Sequence, residues 1–231
     1  MPRSWTTALN RYSYPVRLSD YKRAGEFPGF FTREISGDPT STIEFEDYFR
    51  ANYDRKVEPY FEVVFWKLYK FPLVRQGTTS RIADSVSEEA VEARELCCAV
   101  DLFVEKPSRA NAAVMRALLG LKTAVLATVL TFPAFVDPTR YPMIDRRTAS
   151  WVDSNCASQS RNRATRLRPF NLGMGVVGDS HFDSYVSWVD WCRETAEILT
   201  ARRGMPWRAR DVEMAVFTAA RERLSLNPLP Q

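Results

Sequence analysis

Histidine is nearly missing from this chain: His181 is the only one in 231 residues. That leaves no His-rich zinc site and argues against Ser-His-Asp or Cys-His catalysis, both of which need an imidazole beside the nucleophile. Any chemistry must rest on carboxylates, lysines or tyrosines. Cysteine is also scarce. Cys97, Cys98, Cys156 and Cys192 match no zinc or iron–sulfur spacing, and the adjacent Cys97 and Cys98 read as buried thiols on a helix rather than a disulfide. A reducing, cytoplasmic compartment is the expectation. No run of eighteen apolar residues occurs, so no membrane-spanning helix is expected. Residues 1–11 lack an apolar stretch before a small-residue cleavage site, which argues against a secretory leader. Internal repeats, low-complexity tracts and strand-like alternation are absent as well.

What is present is ordinary globular material. Hydrophobic residues make up 45% of the chain and charged residues 26%, enough to fill a core without metals or disulfides. The net charge of +4 permits a nucleic-acid partner without demanding one. Charge is locally concentrated in one place. Arg161, Arg163, Arg166 and Arg168 lie within eight residues with no acid among them.

The pattern along the chain is helical almost throughout. Residues 1–40 hold scattered prolines, glycines and aromatics and read as an irregular arm. Ser41 and Thr42 offer caps for a helix starting near Ile43, whose Phe45, Tyr48, Phe49 and Tyr53 share one face. A second helix from about Val57, with Pro59 in its first turn, is apolar nearly all round and should be buried until Pro72 ends it. After the polar loop Gln76 to Arg81, Ser87 caps a helix to about Val104, and Ser108 caps another from Arg109 to Leu119. Gly120 interrupts, and an apolar helix from Lys122 to Phe132 follows. Pro133, Pro138 and Pro142 mark a loop that leads past Tyr141 to Asp145, which opens a helix to about Asp153. Two last helices are expected at about Asp179 to Arg203 and Ala209 to Leu224. The expectation is an all-α chain.

Two short helices joined by a glycine turn, then a proline-punctuated loop, then an aspartate at a helix start carry a resemblance. Leu118-Leu119-Gly120-Leu121-Lys122-Thr123-Ala124, followed by Tyr141-Pro142-Met143-Ile144-Asp145, resembles the helix-hairpin-helix Gly/Pro/Asp family of base-excision DNA glycosylases. In that family a Leu-Pro-Gly-Val-Gly turn precedes Lys-Thr-Ala, and an apolar residue precedes the catalytic aspartate. The motif covers residues 108–153. The resemblance implies a two-lobed helical domain over 41–231, with the hairpin at about 108–132 and the catalytic loop and helix at 133–153. The turn here lacks the first glycine and the proline, reading Ala117-Leu118-Leu119, and Gly120 aligns with either turn glycine.

By that resemblance Asp145 stabilises the positive charge that builds on the sugar as the N-glycosidic bond breaks. Lys122 aligns with the lysine that attacks C1′ in bifunctional members, which adds lyase activity. Gly120, Leu121, Thr123 and Ala124 would meet a DNA phosphate through backbone amides. Arg146, Arg147 and the arginines at 161, 163, 166 and 168 would steer the duplex. Trp66, Trp151 and Glu62 are candidates for the pocket that receives a flipped base. No metal, organic cofactor or membrane is implied; DNA is the implied partner. Plain structural roles stand beside each of these: a helix N-cap for Asp145, core packing for Trp66 and Trp151, a solvated loop for the arginines. The altered turn leaves two rivals, a non-catalytic DNA- or lesion-binding protein on the same fold and a helical protein-interaction module.

Overall fold

The computed structural model describes residues 4–17, 34–70, 77, 92–121, 126–159, 164–173 and 175–226. Among them the chain is all-helical apart from isolated β-bridge positions, of which Val16 and Ile35 form an antiparallel pair. In chain order the helices are α1 (Trp5–Asn10), α2 (Pro39–Asn52), α3 (Glu58–Lys67), α4 (Ala93–Glu105), α5 (Arg109–Leu118), α6 (Leu126–Val129), α7 (Thr131–Val136), α8 (Arg146–Gln159), α9 (Phe182–Arg203) and α10 (Ala209–Glu222). A 3-10 turn at Asp179–His181 leads into α9. No helix among the described residues is long and apolar enough to cross a membrane. The helices gather into two compact units. A central unit comprises 14–124 and 128–136; a terminal unit comprises 1–13, 125–127 and 137–231.

In the central unit, α2 begins at Pro39 rather than near Ile43. Asp38 accepts a hydrogen bond from the Ser41 amide at 2.9 Å, and proline at the first helical position loses no bond there. Ser41 and Thr42 instead turn their hydroxyls back onto the Asp38 carbonyl. α3 is buried nearly all round, from Pro59 to Trp66, as its apolar pattern requires. α2, α3 and α4 all pack on the short α7. Phe135 on α7 meets Phe45 at 5.2 Å, Trp66 at 5.5 Å and Phe49 at 5.6 Å between ring centroids, all edge-on. Such pairs add about 0.5–1.5 kcal/mol each beyond area burial.

α7 corrects the expected end of the apolar helix at Phe132. The helical run breaks at Leu130 and resumes through Pro133, which is fully within α7. Proline is tolerated there because first-turn amides have no intrahelical acceptor. The helix expected from Ser87 is described from Ala93, with Glu92 as its N-cap; Pro72, the loop at 76–81 apart from Gly77, and Ser87 lie outside the described residues. α5 starts as expected, with Ser108 Oγ accepting from the Asn111 amide at 3.1 Å.

The stretch expected as an irregular arm at 1–40 holds a short helix in the terminal unit, while its described residues 11–17 and 34–38 are irregular. Ser4 caps α1, and Trp5 and Ala8 are buried as α1 packs on α10. A six-residue helix is marginal alone, so this packing is what sustains it. α8 runs to Gln159, six residues beyond the expected end, because Trp151, Val152 and Gln159 continue its buried face. α10 lies against α1, α8 and α9 and is buried from Ala209 to Ala219. That burial includes Arg210, ion-paired with Glu213 and lying 5.8 Å over the Tyr12 ring. Trp188 stacks on Trp191 at 5.4 Å, and Trp5 and Trp151 each approach Trp191 to 6.0 Å.

Candidate functional site

Asp145 ends a loop whose backbone is tied to neighbouring elements at several points. Asp137 accepts from the Arg140 amide at 3.0 Å and starts the turn. The Pro138 and Thr139 carbonyls accept from the Arg210 and Ala209 amides at 3.0 and 3.2 Å, satisfying free N–H groups at the start of α10. The Pro142 carbonyl accepts from the Tyr185 hydroxyl at 3.3 Å, and the Met143 carbonyl from Trp188 Nε1 at 2.9 Å. Tyr141, Met143 and Ile144 are buried. The loop is therefore pinned to α9 and α10 along its length, and Asp145 is carried on a fixed backbone.

The carboxylate itself is half-buried and caps α8. Its Oδ1 accepts from the Thr148 amide at 2.7 Å and the Thr148 hydroxyl at 2.9 Å, while the Asp145 amide donates to Thr148 Oγ1 at 2.9 Å. Oδ2 makes no hydrogen bond or ion pair among the described residues. The capping role is thus real, and it engages one oxygen of the two. Arg146 and Arg147 follow on the exposed first turn. The Arg147 guanidinium lies 4.8 Å over the Phe217 ring, which holds it against the terminal unit.

The glycine turn belongs to the central unit. Gly120 has φ +62°, its amide donates to the Ala117 carbonyl at 3.0 Å, and the Leu121 amide donates to the Arg116 carbonyl at 3.1 Å. This pair of bonds closes α5 as a Schellman motif, in which the left-handed residue is glycine because a Cβ is strained there. Leu121 is buried. Helix termination therefore accounts for Gly120 by itself. Lys122, Thr123 and Ala124 lie outside the described residues.

Arg161 and Arg163 also lie outside the described residues, whereas Arg166 and Arg168 are described and exposed. Their loop is held by a residue that sequence reasoning passed over. Asp153 on α8 accepts three backbone amides: Phe170 and Asn171 on Oδ1 at 2.5 and 2.9 Å, and Leu172 on Oδ2 at 3.2 Å. No local signal marks this, since the donors lie 17 to 19 residues downstream.

The pocket candidates lie in the two cores. Trp66 and Glu62, each 2% exposed, belong to α3 in the central unit; Trp66 packs edge-on against Tyr14 at 5.1 Å. Trp151, 7% exposed, packs on Trp191 in the terminal unit. Glu46 on α2 is a second fully buried glutamate of the central unit.

Cys98 is exposed and Cys97 half-buried, which corrects the expectation of two buried thiols; α4 turns only its Leu96, Ala99, Val100 and Phe103 positions inward. Cys97 donates to Asp101 at 3.4 Å, as does Tyr53 at 2.9 Å. Burial, then the Asp101 carboxylate, pushes the Cys97 thiol up to about 12, and the same causes hold the Tyr53 phenol well above its ordinary value. A thiol so protonated is no nucleophile at neutral pH. Among the described residues no group of three or more His, Cys, Asp or Glu side chains could hold a metal ion. Compared with family models, with curated proteins and with solved structures, the chain finds no match.

Proposed function

We propose that the chain is a DNA-glycosylase-like protein of the helix-hairpin-helix, two-lobed type, hydrolysing the N-glycosidic bond of a damaged or mispaired base. The observation that carries the reading is the state of Asp145: one oxygen fixed by Thr148, the other uncommitted among the described residues, on a loop pinned to α9 and α10. A carboxylate so held can stabilise a sugar cation without first reorganising. It can equally accept a proton from the attacking water. Arg146, Arg147, Arg166 and Arg168 supply exposed positive charge in the same unit for the DNA backbone. The expected anchoring of a phosphate falls to Thr123 and Ala124, because the Gly120 and Leu121 amides are taken up in closing α5, and Lys122 would add lyase chemistry.

Asp145→Asn tests this cleanly. Asparagine caps a helix about as well as aspartate, so α8 keeps its start while the charge is lost. Base release should fall by at least about a hundredfold while DNA binding is spared. Base release at the wild-type rate would remove Asp145 from the chemistry.

A second reading has its own observation in favour. Asp145 and Gly120 each perform a complete structural task, capping α8 and closing α5. A protein that binds DNA or a lesion without cutting it needs no more from them. Wild-type protein that binds duplex yet releases no base from a broad lesion panel supports this reading over the first. Absence of affinity even at low salt leaves the protein-interaction module.

A further inference from the structure

The loop after α8 is organised to present two cations. Its side chains alternate: Leu167, Phe170 and Leu172 are buried, while Arg166, Arg168 and Asn171 are exposed. Its backbone is tied at successive points. The Thr165 amide donates to Glu194 Oε2 at 3.0 Å, the Arg168 amide to Ser187 Oγ at 3.0 Å, and Ser184 Oγ to the Pro169 carbonyl at 2.8 Å. Asp153 then gathers the amides of Phe170, Asn171 and Leu172. Asn171 has φ +53°, a left-handed turn that lets consecutive amides converge on one anion. The Asp153 charge is therefore spent on main-chain N–H groups and not on a guanidinium. Arg166 and Arg168 make no ion pair among the described residues.

We propose that Asp153 is a positioning residue that clamps this loop so that Arg166 and Arg168 engage successive phosphates of one nucleic-acid strand. The inference rests on the DNA reading above and extends it to how the backbone is gripped. Residues two apart are separated by at most about 7 Å of chain, comparable with the step between neighbouring phosphates on a strand. Holding the loop beforehand removes part of the ordering cost that a mobile loop would meet on binding. α8 then carries both halves of the arrangement, Asp145 at its start and the clamp eight residues on.

The test is the salt dependence of duplex binding, read well below each variant's melting temperature over about 50 to 200 mM salt. Replacing Arg166 and Arg168 together with alanine should lower the slope of log K against log salt by about two. Asp153→Asn should lower it by about one to two and should add nothing in the triple variant, because it acts through the same two arginines. Amide exchange at 170–172 should quicken in Asp153→Asn, with or without DNA. Unchanged exchange, or additive effects of the clamp and arginine variants, would overturn the proposal while the DNA reading stands. Failure of the wild-type protein to bind duplex at low salt would instead remove the DNA reading and this inference with it.

Discussion

The two units hold themselves together by different means. In the central unit α2, α3 and α7 interlock through rings, with Phe49 touching Tyr53, Tyr60, Phe132 and Phe135. In the terminal unit a tryptophan stack shares the work with side chains that reach the backbone of irregular segments. Trp188 and Tyr185 hold the loop before Asp145, and Asp153 and Ser187 hold the loop after α8. Among the described residues the difference is one of degree: Arg50 and Tyr14 also reach backbone carbonyls, of Phe135 and Lys67, in the central unit, but the terminal unit has more described loop to hold. Regular helices satisfy their own main-chain groups, so their packing needs only shape and apolar area. Irregular segments leave amides and carbonyls that folding must pair, and side chains do that pairing here. A scaffold of the second kind can fix a charged group at a chosen place, which is why the candidate carboxylate and arginines are found on it.

Changes at four positions would break or sharpen this contrast. Phe49→Ala should be the most damaging, costing about 3–5 kcal/mol in chemical denaturation, since it opens a cavity among four rings. Trp188→Phe keeps most of the stack but strands the Met143 carbonyl, and should cost about 1–3 kcal/mol. It should also lower whatever activity depends on Asp145, a loss that Phe49→Ala shows only through unfolding. Gly120→Ala should cost about 1–2 kcal/mol through its left-handed φ. Gly120→Asn should recover part of that in thermal melts, because asparagine tolerates this region better.

The smallest effect concerns pH. The folded Cys97 thiol titrates above its ordinary value of 9.0, at about 12. The proton is held more tightly in the folded state, so the associated stability is complete below pH 9 and is lost as pH rises toward 12. Cys97→Ala should flatten that part of the stability curve in denaturant titrations at stepped pH. At pH 8 a thiol reagent should label the exposed Cys98 before Cys97. Labelling in the reverse order would mean that Asp101 does not hold the Cys97 proton.

Much of the candidate site was legible in part. Asp145 at a helix start was readable from the proline loop and the following polar turn, and its capping contact to Thr148 is local in sequence. The uncommitted Oδ2 was not, because that depends on what tertiary packing leaves beside it. Trp151 could be placed on a helix from its neighbours, but only Trp191, forty residues on, makes it core. Asp153 looked like the end of a helix, and its three amide partners are brought to it by the return of the chain along α9.

Local sequence determined where most helices lie, since caps such as Ser108, the proline at 59 and the apolar spacing of α2 and α3 act within a few residues. It also determined that Gly120 ends α5, because the two closing bonds span one turn. Tertiary structure decided that α1, capped locally by Ser4, persists at six residues, and that Asp153 is consumed by backbone amides. Those outcomes depend on contacts between residues far apart in the chain, and burial and hydrogen-bond satisfaction have no local code.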